Sequence, residues 1–225
     1  MKKSKTNYSK LFKATLAASV ATGAIVAVTP NVAQAESQGF SDVKKGHFFY
    51  ESVIDLTSRG VINGYSDGTF KPNENISRAQ AAKIIALALD LDLENIKDSG
   101  LEDVPKSHPN YKHITALVNA GVISGFDDKA YKPNGKITRS QMAKILVLGF
   151  DLEEEKYSKL PFSDVNSKQW FANYIQTLYS KDITKGATAT TFEPGSNVTR
   201  GQFATFIYRS EQTADQENLE IIEIF

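Results

Sequence analysis

The sequence holds no cysteine, which excludes disulfides, thiolate metal ligands and thiol nucleophiles. Histidine is scarce as well: His47, His108 and His113 are the only three, and none is spaced like the H-E-x-x-H zinc pair. Surface or helix-start positions account for them. No G-x-S-x-G elbow, Walker loop or dinucleotide fingerprint occurs. An excess of one charge is lacking too, because 26 Lys and Arg balance 26 Asp and Glu. That balance hides a gradient. Residues 1–35 carry five lysines and no acid, so the remaining 190 residues have a net charge of −5. An acidic remainder argues against attraction to nucleic acid or to anionic lipid.

The longest apolar run, Ala14 to Val28, falls short of the roughly 20 residues a spanning helix needs. It follows Lys2, Lys3, Lys5, Lys10 and Lys13 and precedes Ala33-Gln34-Ala35. A basic head, a short apolar middle and a small-residue exit read as a secretory signal peptide cleaved after Ala35. No later segment reads as a membrane span, so the product is expected outside the membrane. A secreted chain without disulfides relies on its apolar core, and 190 residues can build one. Glu153-Glu154-Glu155 reads as a solvated linker. Asp67-Gly68 and Asp127-Asp128 lack the alternating oxygen ligands of a calcium loop and read as turns. Neither a metal nor a cofactor is expected.

What the chain does have is a repeat. Ile76-Ser77-Arg78-Ala79-Gln80 recurs as Ile137-Thr138-Arg139-Ser140-Gln141 and as Val198-Thr199-Arg200-Gly201-Gln202, at intervals of 61 residues without a gap. A hydroxyl residue followed three positions later by Gln is a capping box, which marks a helix start. The apolar run after each copy predicts a buried helix: Ala81 to Leu89, Met142 to Leu148, Phe203 to Ile207. The arginine does not suit the helix, since a cation there faces the positive end of the helix dipole. Three such arginines in register suggest a position kept for something negative.

The similarity extends through each unit. Every unit opens on an apolar-acidic group, namely Phe40–Val43, Leu101–Val104 and Phe162–Val165. An amphipathic helix of about three turns follows, marked by Phe49, Val53 and Leu56, by Ile114, Leu117 and Val118, and by Phe171, Ile175 and Leu178. Gly60 and Gly121 supply a left-handed stop, with Asp182 in that place in the third unit. Short extended pieces closed by Gly64, Gly125 and Gly186 come next, then Phe70-Lys71-Pro72, Tyr131-Lys132-Pro133 and Phe192-Glu193-Pro194. Three all-round apolar helices imply a central bundle about a pseudo-threefold axis, with the amphipathic helices outside. The fold class is therefore mainly α, with short extended segments. The units divide as 36–95, 96–156 and 157–210, after the signal peptide 1–35 and before a short acidic and apolar tail, 211–225. The partial alternation in Leu219–Phe225 fits a strand, or a segment packed back on the bundle.

These motifs resemble the S-layer homology domain in three tandem modules over about residues 39–210. The first module reproduces the family pattern in Phe40-Ser41-Asp42-Val43, Gly60–Tyr65, Asp67–Pro72 and Ile76–Gln80. The resemblance implies a trimer-like fold built by one chain, with ligand grooves between modules. It also implies non-covalent binding to a pyruvylated secondary cell-wall polysaccharide of a Gram-positive envelope. By motif position, Arg78, Arg139 and Arg200 would clamp the ketal carboxylate, with Ser77, Thr138 and Thr199 beside them. A helix N-terminus and an adjacent arginine can hold such an anion together. Gly64, Gly125 and Gly186 would line the grooves, and Phe48 and Trp170 offer faces for a sugar ring. A second role stands beside the first: the arginines could tie modules together through Asp42, Asp103 and Asp164.

Departures from the family pattern predict unequal grooves. All three helix starts carry Gln where the family often has Glu, which removes a negative charge. The aromatic of the first helix is Phe48 in module one and Trp170 in module three, but Pro109 in module two. The third module replaces the D-G-x-F turn with Ala187–Phe192. The expected function is non-catalytic anchoring of a monomer at the cell wall. A wall hydrolase or a structural lattice component are the alternatives. The short tail leaves two expectations, a free-standing wall-binding protein or a shortened relative of one that carried an effector.

Overall fold

The computed structural model describes residues 39–126 and 129–223, apart from the side chains at 218 and 220–223. The signal-peptide reading and Asp127-Asp128 lie outside the described residues. Among the described residues are six helices: α1 Tyr50–Ser58, α2 Arg78–Ala88, α3 Tyr111–Asn119, α4 Arg139–Gly149, α5 Ala172–Ser180 and α6 Arg200–Glu223. The short extended pieces reduce to three isolated bridges, Asn75 with Thr199, Ser77 with Lys136 and Thr138 with Asn197.

The two kinds of helix are held differently. Each second helix starts on a complete capping box. The Ser77, Thr138 and Thr199 hydroxyls accept from the Gln80, Gln141 and Gln202 N–H groups, and the glutamine side chains accept from the cap N–H groups. The first helices have no side-chain cap on Phe49, Asn110 or Phe171. At nine residues each they depend on packing. Val53, Leu56, Ile114, Leu117, Ile175 and Leu178 supply it, all completely buried. The predicted stops are present, with φ of 71° at Gly60, 74° at Gly121 and 57° at Asp182. Asp182 accepts a left-handed conformation that costs a non-glycine residue about 1 kcal/mol.

The tail departs from expectation. Asp90 and Asp151, at φ 48° and 50°, turn the chain out of α2 and α4. The register of the repeat puts Gln212 at that place in the third module, and no Gly or Pro interrupts the chain from there to Glu223. So α6 runs on for 24 residues. Residues 211–223 are helix rather than strand, because the stop signal is missing and Glu, Gln and Ala favour helix.

Each first helix packs on the second helix of the module before it: α3 on α2, α5 on α4, and α1 on α6. The order is cyclic, and α6 also touches α2 and α4. A ring of backbone hydrogen bonds follows the same cycle. Ile76 N–H donates to Val198 at 3.0 Å, Val198 to Ile137 at 3.1 Å, and Ile137 to Ile76 at 3.3 Å.

Candidate functional site

The three arginines and three aspartates meet on one residue in each module. Asp42 accepts from the N–H groups of Phe70 and Lys71, both at 2.8 Å. Asp103 does so for Tyr131 and Lys132, and Asp164 for Phe192 and Glu193. The second residue of each pair, Lys71, Lys132 or Glu193, has φ of 57–59°, so the carboxylate pins a strained turn. The carbonyl of the first residue then faces an arginine from the neighbouring module. Arg200 Nε donates to Phe70 O at 2.9 Å, Arg78 Nε to Tyr131 O at 2.7 Å, and Arg139 Nε to Phe192 O at 2.7 Å. Each guanidinium lies 4.5–4.6 Å over the ring whose carbonyl it holds. Tyr131 returns a bond from its hydroxyl to Arg78 O at 3.1 Å.

Two sequence expectations are corrected by this arrangement. The arginines do join modules, but through carbonyls and ring faces, and among the described residues they form no ion pair with Asp42, Asp103 or Asp164. The helix ends, moreover, do not present free N–H groups to a ligand. Arg78 and Ala79 N–H donate to Gly135 and Pro133, Arg139 and Ser140 to Ser196 and Pro194, and Arg200 and Gly201 to Glu74 and Pro72. With the third N–H on the Ser or Thr cap, the helix start is sealed by the next module. Any anion must be met by side chains.

The guanidiniums still have capacity for one. Arg78, Arg139 and Arg200 are 8%, 4% and 8% exposed. Burial holds all three below the ordinary arginine value, offset only in part by nearby Tyr131 and Asp103, by Glu193 and Asp164, and by Tyr65, Glu74 and Asp42 respectively. They remain charged at neutral pH. A buried charge without a contacting counter-ion is costly, so a negative partner is favoured there. Arg200 turns Nη2 to Asn63 O at 3.0 Å, and Arg78 turns Nη1 to Gln141 at 3.3 Å. Among the described residues, Arg139 Nη2 is buried with no hydrogen-bond partner.

Each groove draws on several modules. Arg200 shares a concavity of about 280 Å³ with residues 61–65, Gln80, Lys83 and Ile84 of the first module and Asn110 of the second. Gly64 is in that lining. Around Arg78 stand Gln141 and, at 4.9 Å, the Phe126 ring; the repeat register puts Lys144, 6.0 Å over the exposed Trp170 ring, in the place of Lys83. Around Arg139 the second ring is Phe206, at 5.7 Å, and the repeat register puts Ala187 where Tyr65 and Phe126 stand. Phe48 is exposed like Trp170. It lines a further concavity of about 550 Å³ with Asp42, His47, Lys71, Asn73 and Glu74.

The glycines have a structural duty of their own. A Cβ on Gly64 would lie 2.1 Å from the Phe40 ring, on Gly125 2.6 Å from Leu101, and on Gly186 2.5 Å from Phe162. Each therefore admits the apolar residue that opens its own module. Sequence reasoning missed Lys83, Lys144 and Gln141 as groove residues. The available signal was that Lys83 and Lys144 interrupt an otherwise apolar helix in register, while the third copy has Thr205. His113, beside Lys83, is held below its ordinary value by burial and by that lysine.

The family model for the S-layer homology domain matches residues 39–82, 101–143 and 161–204, in step with the three modules. The chain belongs to the S-layer homology domain family. Among curated proteins, a surface-layer 125 kDa protein of Lysinibacillus sphaericus is 32% identical over 95% of this chain and 18% of its own length. An S-layer protein of Bacillus licheniformis is 32% identical over 90% of this chain and 23% of its own length. An amylopullulanase of Thermoanaerobacterium thermosulfurigenes is 33% identical over 75% of this chain, but that spans only 9% of the enzyme. The chain thus corresponds to less than a quarter of each of these three relatives. Among the described residues no helix is long and apolar enough to cross a membrane.

Proposed function

We propose that this S-layer homology chain anchors at a Gram-positive cell wall by binding pyruvylated secondary cell-wall polysaccharide, without catalysis, as a secreted monomer. The three second helices form a central bundle, and the ligand lies in the grooves between modules. The observation that carries the reading is the set of three buried guanidiniums that, among the described residues, make no ion pair. A ketal carboxylate supplies the missing charge. The Arg78 groove is the best furnished, because the repeat register gives it a second cation, Lys144, and that lysine lies over the open Trp170 face. Lys144 can meet the carboxylate while Trp170 stacks on the sugar, a pairing that neither other groove repeats. The S-layer relatives support the wall location, and the short share of the amylopullulanase supports a role separate from its chemistry.

The test is co-sedimentation of purified residues 36–225 with walls. Binding is expected to native walls and to disappear after the polysaccharide is stripped or its pyruvate removed. Equal retention by stripped peptidoglycan would refute the glycan reading. Arg78→Ala and Lys144→Ala are each expected to weaken retention by about tenfold to a hundredfold, the effect of losing one charge-assisted contact worth roughly 1.5–3 kcal/mol.

A further inference from the structure

The three seams between modules are alike in their backbone bonds but not in their chain connections. Residues 89–110 run from α2 to α3, and residues 150–171 from α4 to α5. The seam between modules three and one, where α1 packs on α6, has no such linker. At this seam Ile76 N–H donates to Val198, and Arg200 and Gly201 N–H donate to Glu74 and Pro72. Arg200 also depends on it, since both carbonyls that hold its side chain, Phe70 O and Asn63 O, belong to module one.

The extension of α6 past Ser210 lies on this seam and is fastened to both sides. Toward module one, Glu211 accepts two bonds from Arg59, at 2.6 and 3.2 Å. Arg59 is itself steadied on α1 by Asp55, at 2.8 and 3.0 Å. The Arg59 and Glu211 side chains are only 29% and 17% exposed, so the pair is largely shielded from water. Toward module three, Glu217 pairs with Lys181 at 2.5 Å, and just before the extension Arg209 donates to Ile183 O at 3.2 Å. The register of the repeat places Leu89 and Phe150 where Glu211 stands. Both are partly buried against the apolar core at the two seams that have linkers. The unlinked seam alone replaces that apolar contact with a bidentate ion pair.

We infer that Arg59 and Glu211 are positioning residues that strap the third module to the first and thereby hold the Phe70 and Asn63 carbonyls against Arg200. A bidentate pair suits this task, because its value is a defined geometry more than net stability. The strap compensates for the missing linker. The inference stands whatever ligand the grooves take, since its readout is the seam itself.

Native-state amide hydrogen exchange on the full mature chain tests it, because equivalent amides at the three seams serve as internal controls. In Glu211→Lys, the Ile76, Arg200 and Gly201 amides are expected to exchange at least tenfold faster. The Arg78 and Ala79 amides, and those of Arg139 and Ser140, are expected to stay within about twofold of the wild type. The charge-swapped variant Arg59→Glu with Glu211→Arg, carrying Asp55→Lys so that the residue at 59 keeps an opposite charge beside it on α1, restores slow exchange at the first group. The milder Glu211→Gln gives the same selectivity with a smaller gain, and replaces Glu211→Lys if that variant does not fold. Uniform acceleration at all three seams, no acceleration, or failure of the swap to restore protection would each overturn the inference.

Discussion

The groove at Arg78 and the groove at Arg139 are built on the same frame and furnished differently. In both, an aspartate pins a turn, the turn presents a carbonyl, and an arginine from the neighbouring module holds that carbonyl and stacks on its ring. Around Arg78 stand Phe126 and Gln141, and the repeat register adds Lys144 with the Trp170 ring beneath it. Around Arg139 the aromatic lid has become Ala187, the lysine has become Thr205, and one guanidinium nitrogen is left buried without a partner. On the proposed reading, the difference separates what the repeat needs in order to close from what a groove needs in order to bind. Closure constrains all three copies, whereas binding constrains only the copies that do it.

If the frames are equal, breaking them must cost equally. Asp103→Ala and Asp164→Ala each remove a carboxylate that accepts two backbone N–H bonds across a strained turn. Each is expected to destabilise the chain by about 3 kcal/mol, from two charge-assisted bonds of roughly 1.5 kcal/mol. Urea unfolding measures this, and losses that differ by more than about 1 kcal/mol would show that the frames are not equivalent. The furnishings should behave in the opposite way. Trp170→Ala is expected to weaken wall binding about tenfold at unchanged stability, as for an exposed aromatic anchor worth 1–2 kcal/mol. Phe48→Ala, where the repeat register has Thr205 in place of Lys144, is expected to change it by less than about threefold, on the same scale.

Much of the frame was legible in sequence because it repeats. The capping boxes at Ser77, Thr138 and Thr199 and the stops at Gly60, Gly121 and Asp182 are local, and local signals can be read from neighbours in the chain. The partners of the arginines could not be read that way. Arg78 meets Tyr131 across 53 residues, and Arg200 meets Phe70 across 130, because the cycle joins the last module to the first. A charge rule predicts Arg with Asp; the structure interposes the turn carbonyl between them. The sealing of the helix starts by Pro72, Pro133 and Pro194 was illegible for the same reason. The strand alternative for the tail failed because its alternation of acid and apolar residues outweighed the quieter signal, Gln212 in place of an aspartate stop.

A smaller effect comes from refurnishing the poorer groove. Ala187→Tyr puts a ring where Tyr65 lies 5.0 Å from Arg200 and Phe126 lies 4.9 Å from Arg78. A cation–π contact of this kind is worth about 0.5–1 kcal/mol, so the urea midpoint should rise slightly. No rise would mean that the turn at Ala187–Phe192, which has lost the D-G-x-F sequence, points the new ring away from Arg139.

The smallest effect concerns the contrast between the strapped seam and the linked ones. Burial lifts the Glu211 carboxyl above its ordinary value; Arg59 opposes this, while Asp55 and Asp215 add to it. Burial would lower Arg59, but Glu211 and Asp55 more than offset it and hold the guanidinium charged. The folded carboxyl therefore keeps its proton to a higher pH than the unfolded one. Its contribution is fully present below the unfolded value and is lost as pH rises through the folded value. Glutamine cannot ionise, so the stability of the wild type relative to Glu211→Gln should fall between the ordinary glutamate range and neutrality. Leu89 and Phe150 carry no charge, and substitutions there should give differences that do not change with pH. Urea midpoints at an acidic and a neutral pH decide the matter. A constant wild-type advantage over Glu211→Gln would mean that Arg59 fully offsets the burial, and that the strap adds stability as well as geometry.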